Sequence, residues 1–299
     1  MTGPQLEKYL TSRRREIDVE LGRCVAPSAG RPPSLVRAMR YAVLGPGKRL
    51  RPVLAVAAAE AVSGARARKK ALRPGCAIEM IHAYSLAHDD LPAMDDDDMR
   101  RGRPSVHAKF GEAAAILAGD ALLTDAFAVA AGARASDAPQ ALAVVSEIAA
   151  AAGSAGMVGG QVKDIDSEGK RRVGLAAVQT IHRLKTGALL RASVRVGALA
   201  AGAEAKDLRS LTTFGEAFGL VFQITDDVLD EVGDFKTLGK PAGGDKAAGK
   251  ATYPGVLGLD GARREARRVA QEGYRAIEGF GRRGAALESL LRHVVDRAA

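Results

Sequence analysis

The stretch Ile81–His107, which reads IHAYSLAHDDLPAMDDDDMRRGRPSVH, decides what kind of protein this chain forms. Residues at the core-facing positions recur at intervals of three and four, which is the period of a helix with one buried face. They are Ile78, Ile81, His82, Ser85 and Leu86. The helical pattern is followed by six aspartates, Asp89, Asp90 and Asp95 to Asp98, and Pro92 interrupts the helix between the two groups. We therefore predict a buried helix that carries a cluster of carboxylates at its C-terminal end.

The same helical period covers the rest of the chain, and the alternation typical of strands is nearly absent. We predict helices over residues 4–24, 34–44, 50–63, 72–91, 111–131, 138–156, 172–184, 187–201, 206–231, 260–279 and 284–297. Because no change of composition marks a linker, residues 1–299 are predicted to form one all-α domain, a helical bundle. The segment 232–254, rich in Gly, Pro and Lys, is predicted to be a long loop that is either functional or disordered, and as a functional loop it would be a mobile lid over a site.

The charge balance narrows the range of partners. The chain has 299 residues, with 44 Lys and Arg against 35 Asp and Glu, so its formal net charge is +9. Such a surplus is typical of proteins that bind nucleic acid, an anionic membrane or a phosphate-bearing substrate. Aromatic residues are only 4% of the chain, which leaves few platforms for stacking bases, and we predict no nucleic-acid partner. The arginines near the chain ends are predicted to be solvated helix surface.

Other features bear on the compartment. The first residues contain no apolar core of a signal peptide. We find no apolar run that reaches the ~18 residues a membrane-spanning helix needs, so we predict no membrane association. Cys24 and Cys76 lack the spacing of metal ligands, and two cysteines cannot staple a chain of this size. We therefore expect a reducing, cytoplasmic location.

A second acidic cluster lies in residues 219–230, GLVFQITDDVLD. On a helix, Asp226 and Asp230 share a face, Asp227 and Asp230 are three residues apart, and Gln223 lies one turn earlier. Carboxylates in apolar surroundings need a cation to neutralise them. Oxygen ligands without a neighbouring Cys or His pair favour Mg²⁺, which fills its coordination shell with water and phosphate oxygens. The alternative for either cluster alone is a solvated acidic helix end.

Basic motifs accompany both acidic clusters. They are GKRLRP at 47–52, RRGRP at 100–104, Lys185 with Thr186, and Lys240 and Lys250 in the Gly-rich segment. Taken singly, each could be an exposed cation. Taken together, they supply the point charges and the bidentate hydrogen-bond donors that diphosphate groups require.

In combination, these motifs resemble the trans-isoprenyl diphosphate synthases. Residues 81–107 resemble the first aspartate-rich motif of that family and residues 219–230 the second, while GDALLT at 119–124 and GMVGGQ at 156–161 also match. The similarity extends from GKRLRP to KATYP at 250–254, and Pro46 departs from it where a second Gly is usual. It implies an all-α bundle around a central cavity, a homodimer, and an active site with three Mg²⁺ ions.

The resemblance also implies a reaction. Isopentenyl diphosphate would add head-to-tail to the allylic substrates dimethylallyl and geranyl diphosphate and give farnesyl diphosphate. By position, the catalytic residues would be Asp89, Asp90, Asp95, Asp226, Asp227 and Lys185. Mg²⁺ would be bound by Asp89, Asp95, Asp226 and Asp230. Isopentenyl diphosphate would be held by Lys48, Arg51, His82 and Arg101. The allylic diphosphate would be held by Arg100, Lys185, Thr186, Gln223 and Lys240, with Lys250 closing over the site. Asp125 has no predicted role.

Product length depends on Tyr84 and Ser85. Tyr84 lies five residues before Asp89, so about 7–8 Å along the helix at a rise of ~1.5 Å per residue. A phenol ring there, beside the small Ser85, would block elongation. An aromatic residue with the two-residue insertion in DDLPAMD resembles bacterial farnesyl diphosphate synthases. If Tyr84 is instead an ordinary core residue, a twenty-carbon product and a geranylgeranyl diphosphate synthase remain open.

Two alternatives from other classes also remain. A terpene cyclase shares the fold and one aspartate motif, but its second metal motif differs, and the absence of Trp leaves few rings to stabilise cations. A non-catalytic partner subunit usually lacks one acidic motif, whereas this chain has both.

Overall fold

The computed structural model describes residues 1–132, 138–167, 173–232 and 252–297. Across these ranges the chain is a bundle of helices, and the predicted all-α class is confirmed. The helices are α1 (Gly3–Cys24), α2 (Pro33–Leu44), α3 (Leu50–Ser63), α4 (Arg68–Asp89), α5 (Val106–Phe110), α6 (Glu112–Ala131), α7 (Ala138–Ala152), α8 (Met157–Ile165), α9 (Leu175–His182), α10 (Ala188–Ala200), α11 (Ala205–Val232), α12 (Tyr253–Ile277) and α13 (Ala285–Asp296). A short antiparallel ribbon pairs β1 (Met99–Arg100) with β2 (Arg103–Pro104).

At the centre of the bundle α10 packs against α3, α4 and α11, and α3 packs against α4, while α6 packs on α4 and α12 packs on α11. Small residues let these helices approach closely. A Cβ added at Gly197 on α10 would lie 2.0 Å from the carbonyl oxygen of Ala55 on α3. One added at Gly75 on α4 would lie 2.9 Å from the Cα of Pro52. This close packing holds the C-terminal half of α4 and the N-terminal end of α3, which carry the first acidic and first basic motifs.

Several local differences separate the prediction from the structure, among them the short helix α5, which was not predicted. The helix predicted over 138–156 ends at Ala152, and after a turn a further helix that was not predicted, α8, begins at Met157. The helix α12 begins at Tyr253 instead of 260 and is kinked at Gly258, whose φ of +69° is readily available to glycine. The ribbon that follows the aspartates was not predicted, although Arg101-Gly102 is its turn and Gly102 has φ +75°.

The expectation that no segment could span a membrane by length and composition is wrong. Glu112–Ala131 and Ala138–Ile165 are both long and apolar enough, with mean hydropathy 1.6. The second is divided between α7 and α8 by the turn at 153–156. Both segments also leave apolar side chains on the surface of the bundle, among them Leu117 and Leu142.

Asp125, for which the sequence suggested no role, forms an ion pair. Its carboxylate on α6 lies 2.9 Å from the guanidinium of Arg31, in the connection between α1 and α2. Arg31 also donates to the carbonyl oxygens of Cys24 and Ala26, each at 3.3 Å. Asp125 therefore fixes the α1–α2 connection against α6, which is a structural role.

Candidate active site

The first acidic motif turns back on itself directly after α4. The backbone N–H of Asp95 donates to the carbonyl oxygen of Asp89 at 2.8 Å, and that of Asp97 donates to Asp90 at 3.1 Å. The return of Asp95 towards Asp89, predicted from Pro92, is confirmed at the level of the backbone. The chain then forms the ribbon, whose Arg100 donates through Nε to the Asp90 carboxylate at 2.8 Å. Asp90 is thus buried in an ion pair with Arg100.

The second acidic motif lies within α11, which continues through it without interruption. Asp226 is 40% exposed and lies at the edge of a cavity. Asp227 and Asp230 are buried. Gln223 donates to Asp227 at 3.2 Å, one turn away on the same helix as the spacing indicated.

Between α3, α4 and α11 lies a cavity of about 550 Å³. The structure brings six of the predicted binding residues to its wall together with one predicted metal ligand. They are Lys48, Arg51, His82, Arg101, Thr186, Gln223 and Asp226. Arg49 and Glu79 also line it, although the sequence had not singled them out.

The cavity is an electropositive site in which Arg49 is buried, Arg51 is half-buried, and Lys48 and Arg101 are exposed. Burial lowers the pKa of Arg51 to about 10, with Glu79 opposing that shift. Burial and the neighbouring Arg297 lower the pKa of Lys48. Burial together with Arg51 and Arg101 holds the pKa of His82 well below its usual value, so this imidazole is neutral at pH 7. Such a concentration of positive charge favours binding of a small polyanion.

The surroundings of the Asp89 carboxylate disfavour its ionised form. Burial, with a smaller contribution from the neighbouring Asp95, raises its pKa to about 6 against the opposing effect of Lys185. A divalent cation stabilises the ionised form of a half-buried carboxylate that lies beside other carboxylates. The donor atoms here are oxygens, which Mg²⁺ prefers. The donor set at Asp89 and Asp95 therefore fits Mg²⁺.

Lys185 and Thr186 lie on a π-helical turn, Arg183–Gly187, between α9 and α10. Such wide turns occur frequently at functional sites. The ammonium of Lys185 lies 2.6 Å from the carboxylate of Asp164 on α8. The glycines of GMVGGQ make this approach possible, because a Cβ at Gly160 would lie 2.2 Å from the backbone nitrogen of Lys185.

Sequence reasoning missed four charged residues of the site: Arg49, Glu79, Asp164 and Arg297. Arg49 is 6% exposed, has φ +51°, and contacts Asp18 at 2.7 Å and Glu79 at 3.4 Å. The prediction that the arginines at the chain end are solvated surface is wrong for Arg297, which lies 3.7 Å from Asp226. Glu79 could have been found, since it lies one turn before His82 on the same buried helix.

The remaining predicted residues have different outcomes. Lys240 and Lys250 lie outside the described residues, as does most of the 232–254 segment. Tyr84 is buried with its ring edge-on to His88 at 5.6 Å, and Ser85 donates to the carbonyl oxygen of His82 at 3.0 Å. Their part in chain length stays a prediction.

Comparison with known proteins decides the family. The profile described as "Polyprenyl synthetase" matches residues 32–283. The chain belongs to this family. Farnesyl diphosphate synthase of Escherichia coli K12 is 46% identical over 292 residues, covering 95% of this chain and 96% of the relative.

Solved structures agree with this assignment. An apo FPP/GFPP synthase from Zymomonas mobilis is 36% identical with a TM-score of 0.86, covering 98% of this chain and 100% of that one. A geranylgeranyl pyrophosphate synthetase from Pyrococcus horikoshii is 30% identical with a TM-score of 0.88, covering 98% of each chain.

Proposed function

We propose that this polyprenyl synthetase condenses isopentenyl diphosphate with dimethylallyl and geranyl diphosphate to give farnesyl diphosphate. The observation that carries the proposal is the cation-lined cavity of about 550 Å³ that Asp226 shares with Lys48, Arg51 and Arg101. Its positive wall suits one diphosphate, while the carboxylates at the end of α4 suit the cations that accompany a second one. A prenyl transfer needs these two sites side by side.

In this proposal isopentenyl diphosphate occupies the cavity. Lys48, Arg51 and Arg101 bind its diphosphate, and neutral His82 donates a hydrogen bond without adding charge. Arg51 is half-buried, and its partial desolvation strengthens its hold on an anion relative to water. The apolar end of the substrate is thereby directed towards the end of α4.

The allylic diphosphate lies between the acidic motifs. Asp89, Asp95 and Asp226, with Asp230 in support, would hold about three Mg²⁺ ions that neutralise the diphosphate as it departs. Lys185, Arg100, Thr186 and Gln223 bind the same group from the protein side, and Lys240 and Lys250 are proposed to join them. Preorganised charge around the leaving group supplies the largest share of the rate enhancement.

Bond changes then follow simply. The allylic carbon–oxygen bond breaks, the electron pair leaves with the diphosphate, and the double bond of isopentenyl diphosphate attacks the allylic cation. A proton lost from the adjacent carbon is taken by the departed diphosphate. Water must be kept from the cation, because it would capture it as an alcohol.

Incubation of the protein with labelled isopentenyl diphosphate, dimethylallyl diphosphate and Mg²⁺ tests the proposal. Chromatography of the product should give a fifteen-carbon prenyl diphosphate. A twenty-carbon product would assign geranylgeranyl diphosphate synthesis, a cyclic hydrocarbon would assign a cyclase, and no turnover would favour a non-catalytic subunit.

Tyr84 is proposed to set the product length. Its side chain is packed beside His88, less than two turns before Asp89 on α4, where a growing chain would pass. Replacing the ring in Tyr84→Ala should lengthen the product to twenty carbons or more. The conservative Tyr84→Phe, which keeps the ring, should retain the wild-type length. An unchanged product from the Ala variant would mean that Tyr84 is not the floor of the chain pocket.

We further propose a cytoplasmic homodimer. Apolar side chains on α6, α7 and α8 stay exposed in the single chain: Ile116, Leu117, Leu142, Val158, Val162 and Ile165. A second copy of the chain would remove this surface from water and account for it without a membrane. Sedimentation of the wild-type protein should give twice the 31.1 kDa mass of the chain, and Leu142→Glu should shift it towards the monomer.

A further inference from the structure

The adjacent aspartates of the second motif, Asp226 and Asp227, lie in opposite environments. Successive residues of a helix point about 100° apart. The Asp226 side chain is 40% exposed at the cavity edge, whereas that of Asp227 is 2% exposed. Neighbouring carboxylates with such different exposure have different tasks, and only Asp226 opens onto the cavity.

The Asp227 carboxylate joins α11 to the first turn of α12. One oxygen, Oδ1, accepts from Gln223 at 3.2 Å, and the other accepts from the backbone N–H of Tyr253 at 2.9 Å. Tyr253 is the first residue of α12, where N–H groups have no acceptor within the helix. A negative charge at this end is also favoured by the helix dipole.

The same contact reaches the turn that carries Lys185. His182, the last residue of α9, lies with Nε2 3.7 Å from Asp227 Oδ2. Its ring stacks on that of Tyr253, with centroids 5.5 Å apart and planes 27° from parallel. Asp227 therefore contacts the first turn of α12 directly and lies close to the end of α9, one residue before the π-helical turn.

The first motif repeats this arrangement with other partners. Asp90, the second aspartate of that motif, is 2% exposed and forms an ion pair with Arg100 of the ribbon. In both motifs, therefore, the first aspartate is the more open and the second is buried against a neighbouring segment.

We propose that Asp227 is a positioning residue that anchors the first turn of α12 and the end of α9 to the second motif, and that it does not bind the metal. Its contribution to turnover comes from accepting the Tyr253 N–H. The activity part of this proposal rests on the proposed prenyl transfer.

Three variants test this role: Asp227→Asn, Asp227→Ala and Asp226→Asn. In hydrogen exchange without substrate or metal, the Tyr253 amide should exchange about tenfold faster in Asp227→Ala. Asp227→Asn keeps an oxygen acceptor and should restore most of this protection, while Asp226→Asn should leave it unchanged. Unaltered exchange at Tyr253 in Asp227→Ala would overturn the anchor.

Magnesium dependence separates anchoring from metal binding. The Mg²⁺ concentration for half-maximal turnover should stay within about twofold of wild type in Asp227→Asn and rise about tenfold or more in Asp226→Asn. An equal rise in both would make Asp227 a metal ligand and overturn the proposal. If Asp227→Ala does not fold, Asp227→Asn alone decides through this titration. If the wild type makes no prenyl diphosphate, the proposed function fails, and the exchange measurement still decides the anchor.

Discussion

The two acidic motifs reach a similar end by different backbones. In the first, the helix stops at Asp89 and the chain folds back so that the Asp95 amide bonds to the Asp89 carbonyl. In the second, Asp226, Asp227 and Asp230 stay on one continuous helix. Because of its two-residue insertion, the first motif does not place its aspartates on one face of a helix. The hydrogen bonds of a turn must therefore bring them together. The difference shows that carboxylate spacing along the chain is less decisive than where each carboxylate comes to lie.

The strongest test removes the open carboxylate from each motif in turn. Asp89→Ala and Asp226→Ala should each lower kcat by about a thousandfold or more, ~4 kcal/mol, since neutralisation of the leaving group is the main catalytic term. Steady-state kinetics measures the loss, and circular dichroism checks the fold.

Asp260→Ala, on the exposed surface of α12, is the matched control and should retain wild-type kcat. Near-normal turnover in either active-site variant would show that the two motifs do not act together on one substrate pair.

The structures of the two acidic motifs and their partners could be predicted from the sequence only in part. The period of three and four located α4 and α11, and Pro92 explained the turn of the first motif. Contacts between residues far apart in the chain leave no such signal. In the sequence Asp164 is an ordinary polar position of α8. Its ion pair with Lys185 forms because Gly160 lets the backbone of α8 approach that of the π-helical turn. Arg297 reads as a solvated end, and only the packing of α13 brings it to Asp226.

On the side of the first motif, Asp164 holds Lys185, and Lys185 acts on Asp89. Asp164→Asn should raise the KM for the allylic substrate about tenfold, because the ammonium loses its charged partner at 2.6 Å and is no longer oriented. The KM for isopentenyl diphosphate should change little. Initial-rate kinetics with each substrate varied separates the two constants.

Asp166→Asn provides the matched control, since Asp166 is exposed two residues further along the chain. An equal rise in both KM values for Asp164→Asn would mean a general disturbance of the bundle instead of a task confined to the first motif.

On the side of the second motif, Arg297 lies beside Asp226 and also acts on Lys48. Arg297→Ala should raise the KM for isopentenyl diphosphate about threefold, a modest effect because one partly solvated cation among several is lost. Arg292→Ala, in an exposed i,i+4 pair with Glu288, is the control. A rise in the allylic KM alone would place Arg297 with the other motif.

The smallest expected effect concerns the stability of the metal-free protein and separates Asp89 from the buried anchor Asp227. The folded-state pKa of Asp89 is about 6, above its unfolded value of 3.8. The folded state therefore holds this proton more tightly, and the free energy of unfolding falls as pH rises from about 4 through 6. Above pH 6 the ionised, desolvated carboxylate destabilises the fold.

Asp89→Asn should accordingly raise Tm by a few degrees at pH 8 and have almost no effect at pH 3.5. Asp227→Asn should lower Tm at pH 8, because it weakens a buried bond to the first turn of α12. Thermal unfolding in the presence of a chelator measures both, and a lower Tm for Asp89→Asn at pH 8 would mean that Asp89 stabilises the fold as a structural ion-pair partner. Opposite changes in Tm for the two variants would instead show that Asp89 destabilises the metal-free fold and that Asp227 stabilises it.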